Sequence, residues 1–110
     1  MNVIGDVKEK TCILVDDIID TAGTICNAAE ALKDSGAKKV VSYATHAVLS
    51  GDALENIKNS RLDELIVTDT IPLSEMASSM NKIKTISMDN TIAEAINRVN
   101  KEESISQMFL

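Results

Sequence analysis

Four short apolar runs, separated by stretches with helical periodicity, constrain the fold of this chain most strongly. The first run, Cys12–Val15, contains no polar residue, which is typical of a strand buried on both faces. Further strands are predicted at about Lys39–Thr45, Leu65–Val67 and Thr85–Ser87. This alternation predicts an α/β fold, with a mostly parallel sheet and flanking helices on both faces.

The stretches between the runs have apolar residues at the spacing of a helix face. After the first run an apolar stripe recurs at i, i+3, i+4 and i+7, formed by Ile25, Ala28, Ala29 and Leu32. Gly36 follows and can adopt the left-handed conformation that ends a helix. Two more helices are predicted, at about Asp52–Asn59 and Asp89–Asn100. The stripe of the last one is Ile92, Ala95, Ile96 and Val99, and Asp89 or Ser87 could cap it.

Composition and charge exclude several classes of protein. The 110 residues are enough for one domain, residues 1–110, but not for two. A net charge of −6 argues against nonspecific binding of nucleic acid or an anionic membrane. No stretch has transmembrane length, and the first residues are not signal-like. Cys12 and Cys26 are expected to be buried thiols in a reducing compartment, so we expect a cytoplasmic protein.

The most informative segment is the motif from Val15 to Thr24, which follows the first predicted strand. Its small residues, Thr21–Thr24, let backbone N–H groups approach a ligand at a helix N-terminus, where an anion is favoured. The carboxylates of Asp16, Asp17 and Asp20 oppose this, since each phosphate–carboxylate contact at about 5 Å costs roughly 3 kcal/mol. The conflict disappears if carboxylates bind sugar hydroxyls and amides bind the phosphate. Solvated Asp residues beside a helix start remain an alternative.

The string Val-Asp-Asp-Ile-Ile-Asp-Thr-Ala-Gly-Thr over residues 15–24 resembles the phosphoribosyl pyrophosphate motif of type I phosphoribosyltransferases and phosphoribosyl pyrophosphate synthetases. The synthetase branch is favoured by the Asp-Thr-Ala-Gly-Thr ending. Other stretches that resemble this branch are Gly5–Val7, Ala44–His46, Val48–Gly51, Asp69–Pro72 and Ser104–Phe109. The resemblance covers the full chain, which argues against chance similarity.

The resemblance implies a type I phosphoribosyltransferase-like fold and a ribose-phosphate pyrophosphokinase, which transfers diphosphate from ATP to ribose 5-phosphate for nucleotide biosynthesis. Asp16 and Asp17 would contact the ribose hydroxyls, and Asp20, Thr21, Ala22, Gly23 and Thr24 would hold the 5-phosphate. It also implies Mg²⁺ with ATP, and a homo-oligomer, a hexamer in the family. No catalytic residue is assigned, and metal ligands are left open.

The same resemblance implies that the chain is the C-terminal part of a much longer protein. The upstream part would carry the ATP site, the metal-binding His and Asp, and a flexible loop with Lys and Arg. We therefore expect this chain alone to bind ribose 5-phosphate weakly and to be inactive. Two other classes stay open: a phosphoribosyltransferase, and a noncatalytic regulatory homologue of the synthetase.

Outside the motif, a few residues have two possible roles each. His46 could line the ligand edge or serve as a hydrogen-bonded structural histidine. Asp69 and Thr70 could line the same edge or form a turn before Pro72. The tail residues Ser104, Ser106 and Phe109 resemble a segment that contributes to a regulatory phosphate or ADP site between subunits. The alternative for the tail is a frayed end with one apolar anchor.

Overall fold

The computed structural model describes residues 3–109. Strands and helices alternate along the chain and end in a short 3-10 helix over Ser106–Phe109. The elements in order are β1 (Thr11–Ile19), α1 (Gly23–Asp34), β2 (Lys39–Ala47), α2 (Ala53–Asn59), β3 (Glu64–Thr68), α3 (Glu75–Ser79), β4 (Ile83–Ile86) and α4 (Asp89–Asn100).

The four strands form one parallel sheet in the order β1-β2-β3-β4. The register aligns Asp16 of β1 with Ala44 of β2, and Ala44 with Val67 of β3. All carboxyl ends of the strands therefore lie at one edge of the sheet, where α/β folds bind ligands. The predicted α/β fold with a parallel sheet and flanking helices is confirmed.

The hydrophobic core lies between one face of this sheet and the first three helices. Alternate strand residues supply the sheet side, and their buried members are Val40, Ala44, Leu65, Val67 and Ile83. The helices supply Ile25 and Ala29 from α1, Ile57 from α2 and Ala77 from α3. At about 25 cal/mol per Å² of apolar surface, each fully buried Leu, Ile or Val contributes about 1.5–3 kcal/mol. This core fixes α1 and α2 against the ligand edge.

The opposite face of the sheet is largely exposed in the part of the chain that the structure describes. Ile13 is 60% exposed, Val15 is 81% exposed and Ile86 is 53% exposed. The expected burial of the first strand on both faces is therefore wrong for these residues, and α1–α3 pack on one face alone. An unbroken apolar run in the sequence shows that both faces are apolar, but it does not show what covers them.

Helix α4 forms where its periodicity predicts, but its apolar stripe is not buried. Ile92, Ile96 and Val99 are 47%, 64% and 62% exposed, and no residue of α4 is buried. The helix is connected to the sheet edge by the Asp69 carboxylate, which accepts a hydrogen bond from the Met88 N–H at 2.7 Å. Among residues 3–109, no helix is long and apolar enough to cross a membrane.

The two cysteines are free and half-buried, which is less burial than we expected. Burial raises the pKa of the Cys26 thiol, although nearby Ser60 and Lys82 oppose this. A raised pKa keeps the thiol protonated and less reactive. Cys26 therefore behaves as a small packing residue on α1.

Candidate functional site

Strand β1 continues four residues beyond the predicted end at Val15 and stops at Ile19. Asp residues are disfavoured in strands, which is why the sequence indicated an earlier end. Backbone pairing with β2 overrides this preference, since Ile18 pairs with His46 and Ile19 with Ala47. Asp16 and Asp17 therefore lie on the end of a strand, not in a loop. The loop between β1 and α1 consists of residues 20–22.

The acidic pair is exposed and internally hydrogen-bonded. Asp16 Oδ1 accepts the backbone N–H of Asp17 at 2.7 Å. The side-chain hydrogen bond with Asp16 lowers the pKa of Asp17, and the Ile18 N–H and the nearby His46 act in the same direction. Asp17 is therefore ionised at neutral pH and can accept hydrogen bonds. Two adjacent carboxyl groups of this kind suit a pair of vicinal hydroxyl groups.

The loop joins the first turn of α1 through Ala22, whose backbone is in the left-handed conformation. Ala22 has φ 67° and is only 6% exposed. An L-residue in this conformation costs roughly 1–2 kcal/mol, and burial of its methyl group in the core offsets part of that cost. Because no side chain in residues 3–109 caps α1, its first N–H groups have no side-chain acceptor. A helix start of this kind favours a bound anion.

A shallow cavity opens over this turn. Its volume is about 200 Å³, and the residues that line it run from the acidic strand end into α1: Asp16, Ile18, Ile19, Asp20, Thr21, Ala22, Gly23, Thr24 and Ile25. The predicted sugar side and the predicted phosphate side of the motif thus meet at one cavity, except that Asp17 does not line it.

Two side chains from outside the motif hold the loop, and neither contact was predicted from the sequence. The Ser50 hydroxyl donates to Asp20 Oδ1, and the Ser50 N–H donates to the Asp20 carbonyl at 3.0 Å. Asn56 Nδ2, on α2, donates to the Thr21 carbonyl at 3.0 Å. These partners are 30 and 35 residues apart in the chain, so only the folded sheet brings them together.

Comparison with known proteins decides the family. The phosphoribosyl synthetase-associated domain matches residues 1–110. The chain belongs to this family. The curated ribose-phosphate pyrophosphokinase of Marinomonas sp. is 62% identical over 109 residues, which cover 99% of this chain and 35% of that protein. The one from Coxiella burnetii is 60% identical over 110 residues, 100% of this chain and 34% of that protein.

A solved structure supports the same family assignment. The crystal structure of phosphoribosylpyrophosphate synthetase from Mycobacterium smegmatis matches with a TM-score of 0.84 and 41% sequence identity, over 90% of this chain and 33% of that one. The predicted relationship to phosphoribosyl pyrophosphate synthetases is confirmed. The chain spans about a third of the length of the relatives it matches.

In this synthetase-family chain, the next strands of the sheet place a polar network beside the acidic pair. His46 Nδ1 lies 2.8 Å from Thr70 Oγ1, and the Thr70 hydroxyl donates to the Thr45 carbonyl at 3.2 Å. His46 is thus hydrogen-bonded and also near Asp17. The Met88 N–H, followed by the Ser87 hydroxyl, lowers the pKa of the Asp69 carboxyl. Asp69 is therefore engaged with the start of α4.

The C-terminal tail is held by α4. The Arg98 guanidinium donates to the Ser104 carbonyl at 2.9 Å, and the Ser104 and Ser106 hydroxyls lie 2.9 Å apart. Phe109 is 73% exposed and is not an apolar anchor within residues 3–109. The regulatory role of this tail stays a prediction.

The synthetase resemblance also led us to expect Mg²⁺. Within residues 3–109, no three His, Cys, Asp or Glu side chains are grouped so that they could hold a metal ion. Mg²⁺ is usually bound by one or two carboxylates, with waters and substrate phosphates in its other positions, so the expectation of Mg²⁺ stays a prediction.

Proposed function

We propose that this chain is the ribose 5-phosphate-binding part of a ribose-phosphate pyrophosphokinase. One observation carries the proposal: an uncapped helix start and an acidic strand end flank the same cavity. The first is suited to a phosphate and the second to ribose hydroxyls, and ribose 5-phosphate has both groups. The names of the relatives support the same substrate class.

The residues of the motif divide the substrate between them. Backbone N–H groups of Gly23 and Thr24, together with the hydroxyls of Thr21 and Thr24, would bind the 5-phosphate. Asp16 and Asp17 would accept hydrogen bonds from the ribose hydroxyls. Asp20 would lie beside the phosphate with its carboxylate held on Ser50, a contact that the structure contains.

The reaction that we propose for the whole enzyme is diphosphoryl transfer. The ribose 1-hydroxyl oxygen attacks the β-phosphorus of ATP, the bond from that phosphorus to the α,β-bridging oxygen breaks, and AMP leaves while the hydroxyl loses its proton. A bound Mg²⁺ would neutralise charge on the phosphates. This chain contributes position: it fixes the sugar so that the 1-hydroxyl can reach ATP. We assign no general base to it.

The chain spans about a third of the length of its relatives. The activity of the whole protein is therefore a further part of the proposal. We propose ATP as co-substrate, phosphoribosyl pyrophosphate as product for nucleotide biosynthesis, a cytoplasmic location and a homo-oligomeric assembly. The chain alone should not form phosphoribosyl pyrophosphate. Turnover by the purified chain with ATP and Mg²⁺ would contradict that expectation.

Isothermal titration calorimetry with ribose 5-phosphate tests the site. We expect binding to the wild-type chain and loss of affinity in Asp16→Ala, since a carboxylate that accepts hydroxyl hydrogen bonds is removed. Asp52→Ala is the matched control, because this exposed carboxylate makes no capping hydrogen bond at the start of α2. Equal affinity in Asp16→Ala and Asp52→Ala would refute the sugar-binding role of Asp16.

A further inference from the structure

We propose that Ser50 and Asn56 are positioning residues that hold residues 20–24 in the conformation that accepts a phosphate. This inference rests on the proposed function of the same site and goes beyond it, since neither side chain belongs to the motif. It assigns the control of the loop to the segment after β2 and to α2.

Ser50 controls the start of the loop. Its hydroxyl and its N–H both bind Asp20, one at the carboxylate and the other at the carbonyl. The hydrogen bond to the carboxylate fixes its direction. Without it, the charged group could rotate toward a bound phosphate, which it would repel.

The backbone beside Ser50 is strained at Leu49. Leu49 has φ 51°, a conformation that is unfavourable for a side chain with a Cβ atom, and Gly51 follows with φ 57°. Leu49 persists there because its side chain packs against the core and its N–H donates to the Ile19 carbonyl at 3.1 Å. Strain of this kind is concentrated at functional sites.

Asn56 controls the middle of the loop. Its amide binds the Thr21 carbonyl at 3.0 Å, which fixes the plane of the peptide between Thr21 and Ala22. In a trans peptide the C=O and N–H point in opposite directions. The Ala22 N–H is therefore directed away from α2, and the left-handed conformation of Ala22 then sets the direction of the next amide groups.

The test uses paired variants of the 110-residue chain and ribose 5-phosphate as the probe. The pairs are Ser50→Ala with Ser50→Thr, which keeps the hydroxyl, and Asn56→Ala with Asn59→Ala, an exposed residue of the same helix. Isothermal titration gives the affinity, and ¹⁵N relaxation of residues 21–24 reports the order of the loop. We expect Ser50→Ala and Asn56→Ala to bind about five- to tenfold more weakly, the usual effect of one lost hydrogen bond. Their loop should also be more mobile.

The controls should keep wild-type affinity and loop order. Wild-type affinity in both alanine variants would overturn the inference, even with a more mobile loop, because the contacts would then be merely structural. A wild-type chain that binds no ribose 5-phosphate would instead remove the proposed function, and the inference with it. If Asn56→Ala does not fold, Asn56→Asp removes the donor at constant shape, and Asn59→Asp controls for its charge.

Discussion

Gly23 offers a test that separates ligand binding from folding. A Cβ atom added at Gly23 would meet only the Thr21 hydroxyl oxygen, at 3.9 Å, and the backbone there is not in the left-handed region. The fold therefore has room for alanine at this position. Since Ala is a better helix former than Gly, Gly23→Ala should stabilise the chain by about 0.4–1 kcal/mol and raise Tm by about 2–6 °C.

Ribose 5-phosphate binding should change in the opposite direction. Gly23 lines the cavity at the first turn of α1, so a methyl group there would keep the phosphate from the N–H groups. Loss of one charge-assisted hydrogen bond costs about 2 kcal/mol, which corresponds to a roughly 30-fold higher Kd. Differential scanning calorimetry measures the first effect and titration calorimetry the second.

The control for Gly23→Ala is Asn27→Ala, an exposed position of the same helix. It raises helix propensity by a few tenths of a kcal/mol and should leave affinity unchanged. If Gly23→Ala binds ribose 5-phosphate as tightly as Asn27→Ala does, the phosphate does not approach this backbone and our placement of it is wrong.

Three further predictions concern the scaffold. Lys82 donates to three carbonyls at the end of α2, at 3.0, 3.4 and 2.8 Å, so Lys82→Met should lower the free energy of unfolding by about 1.5–3 kcal/mol in urea titrations. The control Lys84→Met, at an exposed position of β4, should change it little. Burial raises the pKa of Asp63, but the Lys33 and backbone hydrogen bonds outweigh it and the net pKa is lowered. The stabilising contribution of the ionised Asp63 carboxylate is therefore present at pH above its unfolded pKa of about 3.9 and is lost as pH falls through its folded pKa. Asp63→Asn should therefore make the free energy of unfolding less dependent on pH below about pH 4. The exposed sheet face should cause self-association, and Val15→Lys should reduce it in light scattering; equal scattering would contradict this.

The sequence predicted the parallel sheet and the helices α1, α2 and α4 because their periodicity is strong. It missed α3, which has five residues and no stripe. The one local signal was Ser74, whose hydroxyl accepts the Ala77 N–H at 3.2 Å and caps that helix. The predicted end of β1 was too early, because the strand propensity of Asp16 and Asp17 carries no information about backbone pairing with a distant strand.

The motif of the candidate site could be recognised in the sequence, but the side chains that hold it, Ser50 and Asn56, could not. Residues 15–24 are contiguous, so their resemblance to a known motif can be recognised in one segment, whereas their spacing alone left solvated Asp residues as an alternative. The contacts of Ser50 and Asn56 depend on where β2 ends and how α2 packs, and both follow from the core behind the sheet. Ser50 stood in a stretch that resembled the family, but nothing in the sequence connected it to Asp20.

The fold also explains how a motif with three carboxylates could bind an anion. Asp16 and Asp17 lie on the strand, where the Asp16 carboxylate accepts the Asp17 backbone N–H, and the Asp20 carboxylate accepts the Ser50 hydroxyl. The carboxylates of Asp16 and Asp20 are therefore oriented before a ligand arrives, so binding need not reorder them. The motif keeps its carboxylates, and the fold orients them so that they oppose phosphate binding less. A loop of this kind should lose phosphate affinity when its supports are removed, while its own residues stay unchanged.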